Sequence, residues 1–296
     1  MPFDIRSDAF TAAIPGESRL EEIGGGFGFT EGPIWHPGEH WLVFSDIQES
    51  HQYKWSEADG LKVFRTPSNQ ANGNFFDRQG RVISCEHASS QLVRHEHGGK
   101  QVVPLATHYL GKELNSPNDV VCDSKGRIWF TDPSFGRIRE DLGILRDQDL
   151  PYQGVFRLDP DGTLTLVVDD FQQPNGLCLS ADESRLFVND SWGGHIRVMD
   201  VTEDGGLTNN RVWADVTGEG EGVPDGMKTT TEGHILCNGP GGVHLFDAEA
   251  NCLGVILTPQ KSTNFCFGGR DFRTLFITAS TSVYRIQTAM TGLAMF

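Results

Sequence analysis

The chain is short of what marks an exported protein, a membrane span or a nucleic-acid binder. Its 296 residues carry 24 lysines and arginines against 40 aspartates and glutamates, a formal net charge of −16. No basic stripe is available to neutralise a phosphate backbone, which excludes nucleic acid and anionic membrane as partners. No run approaches the roughly 18 apolar residues of a membrane span, and the start, MPFDIRSDAFTAAIPGESRL, lacks the charged-then-apolar order of a signal peptide. A soluble, unexported chain is expected. The six cysteines (85, 122, 178, 237, 252 and 266) never form a CxxC, and five lie in or beside apolar runs where a thiol acts as a small hydrophobe. That usage points to a reducing cytoplasm. No GxSxG occurs, so a serine nucleophile elbow is excluded. Apolar residues at i, i+3, i+4, i+7 never persist beyond a turn or two, which leaves helices incidental.

What the chain has instead is a repeat. Six phrases, TEGPIW at Glu31, QANGNFF at Asn72, SPNDVV at Asn118, QPNGLCL at Asn175, VPDGMKT at Asp225 and STNFCFGG at Asn264, each set one polar oxygen ahead of an apolar strand. The strands are WLVFSD, RVISCE, RIWFTD, RLFVND, HILCNG and TLFITA, separated by turn phrases such as DRQG, DSKG, DPDG and EDGG. Repeats of roughly 40 to 50 residues built from short strands mean radial blades around an axis. The sequence therefore predicts an all-β fold, a six-bladed β-propeller with a central metal-binding channel. One propeller domain is expected over residues 1–296, with blades in about 20–288 and an N-terminal extension at 1–19. An N-terminal strand is expected to complete the last blade, because closure removes a free sheet edge. The longest repeat contains FGRIREDLGILRDQDLPYQG, an insertion expected to form a loop or lid.

In each blade the innermost strand starts at the anchor and runs antiparallel to the next. The start of one and the end of the other share a face, so all six anchors should line one mouth of the channel. Two carboxylates, Glu31 and Asp225, with amide oxygens and water make an all-oxygen site. Such a site suits calcium, magnesium or manganese better than the thiolate or imidazole ligands of zinc sites do. Asn or Asp before Gly is also a common turn pair, but six equivalent placements weaken that reading, and Glu31 weakens it most. At the ends of the second strands stand Asp46, Glu86, Asp132 and Asp190, open to three readings: substrate contacts, partners of the ligands, or caps on turn amides. For a hydroxyl-rich substrate the candidates near the mouth are Asn72, Glu86, His87, Asp132, Phe135 and Trp192. His87 and His195 are expected toward the channel, His95 and His97 in solvated turns.

The phrases TEGPIW, NSPNDVV, QPNGLCLS, VPDGMKTTTEGHILC and TNFCFGG, in this order and spacing, resemble the gluconolactonase-like family that includes regucalcin (senescence marker protein) and bacterial sugar lactonases. The resemblance implies a six-bladed propeller with one divalent metal in its channel, calcium first, with magnesium, manganese, zinc or iron as alternatives. By match to the family's motifs it implies Glu31, Asn175 and Asp225 as metal ligands, with Asn118 as a further ligand or a substrate-holding residue. Asn118 therefore stands in both the metal set and the substrate set of Asn72, Glu86, His87, Asp132 and Trp192. Ser116 occupies a place where the regucalcin branch carries a substrate-binding arginine. Phrases such as SCEHASSQLVRHE and FTDPSFG look closer to the bacterial lactonase branch.

The reaction this implies is metal-dependent opening of a sugar lactone, with a cation polarising the carbonyl and activating a water. Asp225 is the candidate base, or a ligand only. The rival readings are phosphotriester hydrolysis on the same metal site, and a propeller that only binds, with a structural metal and a broad apolar face for a protein partner.

Overall fold

Short apolar runs broken by glycine turns fold into antiparallel strands throughout. In the computed structural model, which describes residues 3–294 other than 97, 98 and 100, six sheets of four or five strands stand as the blades of a propeller. His97 lies outside the described residues. The innermost strands are Thr30–His36, Ala71–Phe76, Val120–Cys122, Pro174–Leu179, Met227–Thr229 and Ser262–Gly268. Each is followed outward by its successors in chain order. The two described helices, Asp8–Ala13 and Phe135–Ile138, are six and four residues long.

The N-terminal segment does more than the sequence suggested. Glu21–Gly25 pairs with Ser282–Gln287 and completes blade six, as expected, with Glu21 opposite Arg285. Residues 1–19, expected to lie outside the blades, supply Phe3–Ile5 as a fifth strand on Cys252–Leu257 of blade five. The helix after it buries Phe10 completely. The free edge of blade five is an apolar strand, and covering it hides an otherwise open ladder.

Between blades the core is aromatic. Trp35 of blade one stacks on Phe276 of blade six at 5.1 Å, and Trp213 of blade four meets Phe246 of blade five at 5.8 Å. Such pairs are worth about 0.5–1.5 kcal/mol beyond the area they bury. Cys85, Cys122, Cys178, Cys237 and Cys266 are buried as small hydrophobes.

Around the axis every seam between neighbouring blades is closed by a hydrogen bond at or beside an anchor. Ser45 Oγ donates to the Asn72 carbonyl (2.7 Å), Gly73 N to the Asn118 carbonyl (2.8 Å) and Thr131 Oγ1 to the Asn175 carbonyl (2.7 Å). Asn189 Nδ2 donates to the Asp225 carbonyl. Gly226 N donates to the Thr263 carbonyl (2.8 Å), and Thr263 Oγ1 to the Thr30 carbonyl (2.7 Å), which closes the circle. The glycine after four of the anchors serves the same approach. A methyl group on Gly32, Gly73 or Gly176 would overlap the carbonyl oxygen of the next anchor, and one on Gly226 would overlap the Asn264 amide.

His95, expected in a solvated turn, is instead buried. It lies in the strand Gln91–Glu96, stacked on Phe64 at 5.7 Å, with Nε2 3.0 Å from Ser84 Oγ. The apolar period of that strand outweighs the polarity of one side chain. Burial lowers its pKa to about 3. A base depressed from about 6.5 contributes stability that is complete above that value and is lost as pH falls toward 3. Between pH 7 and pH 5 the parent should therefore lose about 2 kcal/mol more unfolding free energy than His95→Phe, read from urea titrations at the two pH values. Gly176→Ala should lower stability by about 1–3 kcal/mol through overpacking. Gly16→Ala, with nothing within 4 Å of the added carbon, should leave it unchanged.

Candidate functional site

The strand registers fix where the anchors sit. Thr30 pairs with Asp46, Ala71 with Glu86, Pro174 with Asp190 and Ser262 with Ala279, so the anchor end of each innermost strand meets the end of the second. All six anchors are buried, and none adopts a positive φ. The Asn-Gly pairs are therefore not tight turns of the left-handed kind; their glycines make room for the neighbouring blade.

Side chains from blades four, five, six and one meet at this mouth. The Asp225 carboxyl lies against Asn175 and Glu31, and Glu31 also meets Asn264. Asn118 is held through its backbone, N to the Thr131 carbonyl at 2.8 Å, while no protein group hydrogen-bonds its side chain among the described residues. Burial, then the nearby Asp225, drives the Glu31 pKa well above the carboxylate range. Asp225 is also raised, chiefly by burial, with the Lys261 charge opposing. Asp119, hidden in the sequence as the letter after the Asn118 anchor, joins this field. Burial raises it too, against the charge of Lys228, and its Oδ2 has no donor. Lys228 reaches up the channel to Asn264 Oδ1 at 3.2 Å. It also lines, with Ile34, Phe75, Cys178 and Cys266, a cavity of about 300 Å³ at the other end of the innermost strands, away from the anchors.

Crowded, buried carboxyls that cannot all ionise, amide oxygens beside them, and a donor-less oxygen on Asp119 are what a hard cation would complete. Among the described residues no group of three or more His, Cys, Asp or Glu side chains is placed to hold a metal ion. The expected donor set fits within that limit, since it has two carboxylates, Glu31 and Asp225, and takes its remaining oxygens from amides.

The carboxylates at the ends of the second strands do something else. Asp46 accepts the backbone N–H groups of Gly28 and Phe29, each at 3.0 Å, and Asp190 those of Gln172 (2.8 Å) and Gln173 (3.0 Å). Asp132 accepts that of Asn115 at 2.8 Å, with its pKa pushed to about 7 by burial. Each acid thus ties down the loop that leads into an anchor. Glu86 is taken up by Arg65 (2.6 Å), Asn69 (2.9 Å) and Ser89. Glu86 and Asp132, expected among the substrate contacts, brace loops in this structure, since their burial requires partners and the loops provide them; Asp132 Oδ1 has no partner among the described residues.

His87 does sit at the mouth, fully buried, beside Asn72. His195, also expected toward the channel, starts the third strand of blade four and turns its Nδ1 to the Gly193 carbonyl at 2.9 Å. Phe135 is half-buried at the start of the short helix in the insertion, and Trp192, in the loop after Asp190, is 60% exposed. Ser116, the departure from the regucalcin pattern, holds the insertion: its Oγ accepts from Gly136 N (3.0 Å) and donates to the Pro133 carbonyl (2.6 Å). The insertion is a clamped wall. Arg137, almost fully buried, binds the carbonyls of Asn115 (2.7 Å), Leu114 (2.5 Å) and Asp147 (2.6 Å), and the Glu113 carboxylate (2.7 Å).

Known proteins share this arrangement of chain. The gluconolactonase of Zymomonas mobilis is 30% identical over 308 residues, covering 97% of this chain and 86% of that protein. The pentonolactonase XacC of Haloferax volcanii is 28% identical over 260 residues, covering 84% and 81%. Among solved structures, a gluconolactonase from Xanthomonas campestris superposes with a TM-score of 0.91 at 33% identity, covering 97% of this chain and 95% of that one. The family model described as SMP-30/Gluconolactonase/LRE-like region matches residues 29–281, a span that takes in all six anchors, and the chain belongs to that family.

Proposed function

We propose that this protein hydrolyses a sugar lactone at the anchor mouth, with one divalent cation held by Glu31, Asn118, Asn175 and Asp225. The observation that carries the reading is the meeting of the buried Glu31 and Asp225 carboxyls with the amides of Asn175 and Asn264. The similarity to a gluconolactonase and a pentonolactonase over most of the chain supports lactones as the substrate class. When bound, a cation of this kind supplies Lewis acidity to the lactone carbonyl and acidifies a water. Every donor is an amide oxygen or a carboxylate, which suits a hard cation, with calcium the first candidate.

The residues divide the remaining work. Asp225 takes the proton of the attacking water on its carboxylate; burial alone raises its proton affinity, and a cation bound beside it would lower that affinity and hold the carboxylate ionised. Glu31 and Asn175 hold that carboxylate in place from neighbouring sides of the ring. The unpaired Asn118 amide and Asn72 face a polyol, with the buried His87 behind Asn72 and Trp192 as an exposed aromatic wall. Buried free thiols suit a reducing compartment, the cytoplasm.

The deciding experiment follows proton release from glucono-1,5-lactone and xylono-1,4-lactone on chelator-stripped protein, restoring Ca²⁺, Mg²⁺, Mn²⁺, Zn²⁺ or Fe²⁺ in turn. Turnover above the spontaneous rate that depends on the ion is expected. Tight binding of an ion without turnover would move the substrate toward phosphotriesters or leave a propeller that only binds. Asp225→Asn should keep the fold and lower kcat/KM by about two to four powers of ten. Glu31→Gln should weaken calcium binding in calorimetry, and an unchanged affinity would return Glu31 to a structural role.

A further inference from the structure

His87 lies between two groups of fixed character. Its Nδ1 is 2.9 Å from the Leu142 carbonyl oxygen, and its Nε2 is 3.1 Å from Asn72 Nδ2. A carbonyl oxygen can only accept, so Nδ1 carries the proton. On a neutral ring Nε2 then has only a lone pair to offer, and what faces it must be the NH₂ of Asn72. Burial favours that neutral ring and lowers the pKa to about 4. The orientation of the Asn72 amide follows: Nδ2 toward His87, Oδ1 away from it. That oxygen is buried and meets no donor. It belongs to the anchor between Glu31 and Asn118 around the ring, where the seams place Asn72 against Gly32 on one side and tie Gly73 to Asn118 on the other.

Leu142 is itself placed by a rigid loop. Besides the Arg137 and Ser116 bonds, Ile144 N donates to the Gly136 carbonyl at 2.8 Å, and Gly143 lies so close to Gly136 that no methyl group would fit between them. Gly136 in turn packs on His87 with no space for a Cβ. The insertion thus reaches the anchor ring through one carbonyl and one imidazole.

We propose that the insertion, acting through the Leu142 carbonyl and His87, fixes Asn72 Oδ1 as the acceptor for a hydroxyl group of the substrate, so that the loop selects hydroxylated lactones over bare ones. This rests on the lactone reading. An unpaired buried acceptor is unfavourable, and a substrate hydroxyl removes that penalty. A site built around such an acceptor discriminates strongly against an analogue that lacks the donor. His87 is a positioning residue in this scheme, and Asn72 a specificity-determining one.

Two measurements on the full chain test it. In a long-range proton–nitrogen spectrum of ¹⁵N-histidine protein at pH 7, with the signal identified by its loss in His87→Phe, His87 should show a protonated Nδ1 and a bare Nε2. A protonated Nε2 would overturn the chain from Leu142 to Asn72, whatever the protein hydrolyses. In the second, Asn72→Leu and parent are compared on glucono-1,5-lactone and on δ-valerolactone, which has no hydroxyl groups. The ratio of kcat/KM between the two should fall at least about tenfold, mainly through KM. Equal losses on both lactones would overturn the hydroxyl contact. A parent inert to both would overturn the lactone reading and the hydroxyl contact with it, while the tautomer still decides the chain.

Discussion

Six hydrogen bonds across the seams between blades hold everything else in register. Each ends on or beside an anchor, and each is given by a strand of the adjoining blade: a hydroxyl, an amide or a backbone N–H. Because the acceptors are backbone carbonyls, the bonds fix the anchor's main chain and leave its side chain to point elsewhere. Four glycines let the blades come near enough for these bonds to form. The site therefore depends on main-chain geometry before it depends on the chemistry of any side chain. Loops carry none of the anchors' precision; they are tied down separately by Asp46, Asp132 and Asp190.

This division explains how the mouth can hold charge that the rest of the interior avoids. Glu31, Asp119 and Asp225 are all buried, and burial shifts each toward its protonated form. A soft scaffold would relieve that strain by letting the carboxyls move apart or reach water. Here the strands they belong to or lead into are locked on both sides, and the lysines 228 and 261 offset only part of the repulsion. Groups kept together against their mutual repulsion fit the cation site proposed above.

Much of this could be read from the sequence. A repeat that sets one oxygen ahead of one strand carries its own geometry, because antiparallel pairing returns every anchor to the same face; hence the blade count and the mouth were both accessible. The closing strand was accessible for a similar reason, since an open ring leaves an edge. What escaped were contacts between residues distant in the chain. Asp132 and Glu86 stayed open between substrate contacts, partners of the ligands and caps on turn amides, because nothing local reveals that Asn115 or Arg65 will reach them. His95 read as solvated because its neighbours are polar in sequence, although its strand buries that face. Asp119 went unnoticed beside a stronger signal, and the glycines after the anchors looked like turn residues because close approach leaves no local mark. Phe3–Ile5 is too short to announce itself as a strand until the edge it covers is known.

The join in blade six pairs Glu21 with Arg285, 264 residues further along. During synthesis the first strands therefore emerge long before their partners exist, and neither blade five nor blade six can be completed until Cys252–Leu257 and Ser282–Gln287 have been made. Contacts of such sequence separation are slow to form, and the waiting segment has to stay harmless meanwhile. The closing strand, with two glutamates and two glycines among its five residues, is poorly suited to pair with a stranger. Its weak strand character, a defect in an ordinary sheet, works here as a delay that keeps the ring open until the right edge arrives.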